Sequence, residues 1–78
     1  MNNQRRKRVD SAMDMLDAAK EIVEAVQMEE EEAYDNLPEG LQYSARGEAI
    51  QEAAEALEGA AGAIDEALDY LSEASGEE

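Results

Sequence analysis

The chain contains no cysteine, histidine, phenylalanine or tryptophan, and a single proline among 78 residues. Each absence removes a class of function. Without cysteine there is no disulfide framework, no thiolate nucleophile and no zinc-finger ligand set. Without histidine the commonest general base and the commonest transition-metal ligand are missing. Positive charge is scarce too, with 6 Lys+Arg against 21 Asp+Glu and a formal charge of −15. That balance opposes binding to duplex DNA, because phosphate contacts need a basic face. Long apolar runs are lacking: Arg5-Arg6-Lys7-Arg8 is followed by Asp10, Asp14, Asp17 and Glu21, so neither a signal peptide nor a membrane span is expected. A soluble, cytoplasmic protein without a membrane partner is the expectation.

What the chain does contain is alanine and helical periodicity. Hydrophobic residues make up 44 %, too many for a tail disordered by charge alone. Large apolar side chains are few, however, and ordering costs roughly 1.5 kcal/mol per residue. A lone monomer of this composition is therefore expected to be marginal, and self-association is predicted.

Residues 4–35 read as one helix. Val9, Ala12, Leu16, Ala19, Val23, Val26, Glu30, Ala33 and Leu37 succeed each other by threes and fours, the spacing of a heptad stripe. Met13, Met15 and Ile22 widen it. Residues 36–44 read as a turn around Pro38, with Asn36 a candidate cap for a short turn and Ser44 a candidate N-cap for the second long helix. Residues 45–74 then repeat in sevens led by Ile50, Leu57, Ile64 and Leu71, with alanine in every fourth place (Ala53, Ala60, Ala67, Ala74). The fold class this predicts is all-α: a single antiparallel two-helix hairpin that dimerises into a four-helix bundle. In such a hairpin Arg5–Arg8 meets Asp69, Glu73, Glu77 and Glu78, which repairs the macrodipole conflict at both helix ends.

Several clusters carry candidate chemistry. Arg5-Arg6-Lys7-Arg8 reads either as a nucleic-acid or nucleotide patch or as a helix start neutralised by the acidic tail; the second reading is preferred. The acidic column Glu52, Glu55, Glu66, Asp69 and Glu73 on helix two reads as a solvated surface or as a partner-binding face. Carboxylates strung along such a rod imitate duplex phosphates and are steered to basic partners. The turn gathers Tyr34, Asp35, Asn36, Gln42, Tyr43 and Arg46, a set that either locks the turn or makes a binding site. Glu29 to Glu32 with Asp35 lacks the converging geometry of a calcium or magnesium site, so no metal and no cofactor is expected. Gly59 and Gly62 mark either a close backbone approach or a bend. No side chain stands ready to activate a serine, and no enzyme activity is expected.

The segments Arg5-Arg6-Lys7-Arg8-Val9, Tyr34-Asp35-Asn36-Leu37-Pro38-Glu39-Gly40-Leu41-Gln42 and Ser44-Ala45-Arg46-Gly47-Glu48 resemble a group of small acidic helical proteins of bacteriophages and prophages, mostly of unknown role. The resemblance implies a location inside an infected or lysogenic bacterial host. It also implies an anti-defence inhibitor that occupies a basic host protein, by DNA mimicry or by covering a nuclease. Two other readings stand beside this one: a sponge for a nucleotide signal, with Arg46, Tyr34 and Tyr43 lining a pocket at a dimer interface, and an architectural coiled-coil adaptor.

Overall fold

The computed structural model describes residues 1–76 and contains helices and turns only among them. Helix α1 spans Asn3–Asp35, the single turn α2 spans Glu39–Gln42, and α3 spans Ala45–Gly76. α1 and α3 pack together along their lengths, and α2 packs on α3. The result is a rod measuring 58 × 15 × 12 Å between Cα extremes, with a radius of gyration of 17.5 Å. A compact chain of this length would have a radius of about 11.5 Å.

The ends of the helices arise from local chemistry. Asn2, in extended backbone, caps α1 by accepting the Arg5 amide at 2.8 Å through its side chain. Asn36 ends α1 instead of starting the short turn: its amide donates to the Glu32 carbonyl at 2.9 Å, and Leu37 N–H donates to the Tyr34 carbonyl at 3.1 Å. Pro38 is the residue that caps α2, its fixed φ of −56° suiting the position. Ser44 opens α3 through its hydroxyl, which accepts the Gly47 amide at 3.4 Å and donates to the Leu41 carbonyl.

One glycine is essential to this corner. Gly47 is buried, and a Cβ placed on it would lie 2.1 Å from the Gln42 carbonyl oxygen and 2.9 Å from that of Leu41. Only a hydrogen at that position lets α2 rest on the first turn of α3. Gln42 adds a weak tie, its amide nitrogen shared between the carbonyls of Tyr34 and Leu37 at 3.4 and 3.5 Å.

The seam departs from the heptad stripe over its second half. Val9, Leu16, Val23, Glu30 and Leu37 are half-buried as the spacing predicts, but Val26 and Ala33 are exposed, and Gln27 and Tyr34 take their places. The physical reason is the mismatch between 3.6 residues per turn and a 3.5-residue repeat. A straight helix drifts about 20° per heptad, so the contact line moves to the next residue. Met15 and Ile22 are also exposed, at 73 % and 66 %. On α3 the lead residues Ile50, Leu57, Ile64 and Leu71 face α1 throughout, with Ala61 the one buried apolar residue among those described.

Candidate protein-interaction surface

The seam divides the remaining surface into two broad faces of opposite character. In an antiparallel pair, the residues just after each seam position on α1 and on α3 fall on the same side of the hairpin. On α1 these are Asp10, Asp14, Asp17, Glu21, Glu24, Glu31 and Asp35, spaced by threes and fours apart from one skipped turn at Met28. On α3 they are Glu55, Glu58, Asp65 and Asp69. All are exposed. An open groove of about 220 Å³ confirms the side: Glu30, Glu31 and Asp35 line it from α1, Gln51, Glu55 and Glu58 from α3, over a floor of Tyr34, Ile50 and Ala54.

Within this field lie Arg6, one turn before Asp10 on the α1 stripe, and Lys20. Lys20 Nζ bonds Asp65 Oδ1 at 2.6 Å, the one side-chain ion pair between described residues. The hydrogen bond to Asp65 holds the Lys20 ammonium above its ordinary value of 10.5; desolvation works against it, and the charges of Asp65, Glu24 and Asp17 reinforce it. The pair joins the middle of α1 to a point about two-thirds of the way along α3 and so opposes sliding of one helix along the other.

The residues singled out in the sequence are distributed over this geometry. Glu55 and Asp69 belong to the acidic face, Glu66 and Glu73 point outward at its edge, and Glu52 tips toward the opposite face; the five span about 100° of arc. The carboxylate stripe of α1 is part of the same surface, although the column on helix two was the one expected to make contact. Its signal is the regular spacing from Asp10 to Glu24.

The turn set does not converge. Tyr34 and Asp35 line the acidic groove, Gln42 braces the turn from within, and Tyr43 stands 86 % exposed. Asn36 and Arg46 are exposed on the turn surface and line neither groove.

The expected neutralisation of the basic cluster is not made by Asp69 or Glu73. Neither lies within ion-pair distance of Arg5, Arg6, Lys7 or Arg8: Arg5 and Arg8 line a groove on the other side, and Arg6, although one turn before Asp10, reaches neither carboxylate. Glu77 and Glu78 fall outside the described residues. Gly59 and Gly62 are exposed, and a Cβ at either would meet nothing within 4 Å, so no described segment of the chain approaches them.

Among the described residues no three carboxylates converge as metal ligands would. Successive side chains on a helix radiate instead of meeting. None of the helices described is long and apolar enough to cross a membrane. No protein-family model matches the chain, and neither a curated protein nor a solved structure does.

Proposed function

We propose that this chain is a non-enzymatic binding protein whose acidic face occupies a basic surface on a host protein. The observation that carries the reading is the segregation of charge. Carboxylates from both helices line one face, and the groove between Asp35 and Glu58 offers an apolar floor within an acidic wall. A basic side chain entering there places its alkyl stem on Tyr34 and Ile50 and its charge among the surrounding oxygens. The rod is a fitting shape for a DNA mimic, since its charges run along nearly its full length. An anti-defence inhibitor in a phage-infected cell is the setting that the turn motif suggests, and the function is proposed in that setting. We further propose that two hairpins pair as a four-helix bundle. The accessible surface of 5819 Å² supports pairing, because a compact monomer of this mass exposes about 4,700 Å².

The test is capture of a partner from a bacterial host lysate, then titration at rising salt. Binding through the acidic face should weaken steeply between low and high salt. It should also be abolished by joint reversal of Glu31, Glu55 and Glu58 to lysine. Affinity that stays flat with salt, or that survives the triple reversal, removes the acidic face from the interface.

A further inference from the structure

The face opposite the carboxylates is apolar, and its pattern of charge specifies how a second copy would lie on it. Met15, Ile22 and Val26 of α1 are 73 %, 66 % and 38 % exposed there, beside Tyr70 of α3 at 72 % and the exposed alanines Ala56 and Ala63. A continuous apolar face of this kind, on a hairpin with one buried apolar side chain among its described residues, is an association surface. It lacks a membrane-sized apolar run and is flanked by charge at both ends. The charges are polarised along the rod. Arg5 and Arg8 stand at one end, where with Val9, Ala12 and Leu71 they line an open groove. Glu29 and Glu52 stand toward the other end.

We propose that two copies pair through this face end for end, about a two-fold axis that crosses the rod beside Ala18 and Ala19. The inference rests on the four-helix-bundle reading and adds its face and its register. With that axis, Arg8 of each copy meets Glu29 of the other, Met15 meets Ile22, and Val26 enters the groove between Arg8 and Leu71. On α3 the same operation sets Tyr70 on Ala60. The midpoint of the α1 pairs, between Ala18 and Ala19, and that of the α3 pairs, at Asp65, lie at nearly the same height, as the Lys20–Asp65 bond requires. The opposite choice, two copies running the same way, brings Glu29 near Glu52 of the second copy and leaves Arg8 without a described carboxylate. Arg46 falls beyond the described residues of the second copy in the end-for-end register. The area is sufficient: a face about 58 Å long and 15 Å wide offers roughly 870 Å², against the roughly 800 Å² per partner of a standard interface.

Arg8 and Glu29 are separated by about 32 Å along α1, so they cannot touch within one chain. Charge exchange between them therefore reads contact between copies. Sedimentation of the full chain at physiological salt is the experiment, using the parent, Ile22→Lys, Arg8→Glu, Glu29→Arg and the double variant Arg8→Glu/Glu29→Arg. The parent should be a dimer, and Ile22→Lys should weaken it at least tenfold. Two symmetry-related ion pairs, at about threefold each, make each single charge reversal cost about tenfold in dissociation constant. Glu29→Arg is the informative variant, since it lowers the net negative charge and would strengthen association if only total charge mattered. The double variant should return to within about threefold of the parent. A monomeric parent overturns the bundle itself. A dimer indifferent to Ile22→Lys overturns the face. Strengthening by Glu29→Arg, or no recovery in the double variant, overturns the register while leaving the bundle intact.

Discussion

Replacing Gly47 by alanine should destabilise the hairpin, whereas the same change at Gly62 should stabilise it. Both glycines lie in α3, so both variants gain the roughly 1 kcal/mol by which alanine exceeds glycine in helix propensity. At Gly62 the new methyl meets open solvent and the gain is realised. At Gly47 it would lie 2.1 Å from the Gln42 carbonyl oxygen and 2.7 Å from the carbonyl carbon, and backbone cannot swing aside as a flexible side chain can. Relief requires α2 to lift off α3. Overpacking of this kind costs about 1–3 kcal/mol, and lifting the turn also disturbs the Ser44 cap, worth about 1 kcal/mol. After subtracting the propensity gain, Gly47→Ala is expected to lose about 1–3 kcal/mol. For a domain of this size 1 kcal/mol corresponds to about 4–8 °C. Melting monitored by the helical circular-dichroism signal, at one fixed protein concentration, should thus place Gly47→Ala about 5–20 °C below the parent and Gly62→Ala roughly 4–8 °C above it. If Gly47→Ala melts at or above the parent, α2 does not press on residue 47 and the corner is not closed by that contact.

The same geometry sets three more outcomes. Truncating Leu57 to alanine in the half-buried seam should cost about 1–2 kcal/mol, read as a lower denaturant midpoint at unchanged slope; an unchanged midpoint would mean that α1 does not cover Leu57. Added salt should raise the melting temperature, because Asp10 and Asp14, Asp17 and Glu21, and Asp65 and Asp69 repel at helical spacing; a temperature that falls with salt would show ion pairing to dominate. Finally, Lys20 should titrate above 10.5, and Asp65→Asn should bring it down, as monitored by NMR of the Lys20 side chain. Because the folded value is the raised one, the pair's stabilisation is fully present below about 10.5 and is lost as pH rises through the higher folded value. A Lys20 titration unmoved by Asp65→Asn would deny the bond.

Helix α1 shows how far periodicity reaches. Its existence, its end near Asp35 and its first three seam layers are legible from apolar spacing alone. The exchange of Val26 for Gln27 and of Ala33 for Tyr34 is not, since a polar glutamine carries no apolar signal and the drift depends on how straight the two helices run together. Gly47 shows a different gap. As a glycine in the first turn of a helix it is visible, but its need comes from the Gln42 carbonyl, set by how α2 folds back. The acidic face is legible in half: the column on helix two stands out, whereas its union with the α1 stripe requires knowing that the hairpin puts both on one side. Pairing of Arg5 and Arg8 with Asp69 and Glu73 fails for the same reason, because matching heights along a rod does not fix matching sides.

The thin seam also sets how the molecule opens. Each layer joins α1 to α3 through a few half-buried side chains, and no central cluster among the described residues holds them all. Separation can then proceed from the layers farthest from the corner toward it like an unfastening zip, losing one layer at a time. Amide hydrogen exchange should accordingly be graded along the rod, slowest near the Gly47 corner, intermediate near the Lys20–Asp65 pair and fastest in the described layers farthest from the corner. Length becomes an adjustable property of such a molecule: removing seven residues from α1 and the facing seven from α3 would shorten the rod by about 10.5 Å while keeping its remaining layers in register.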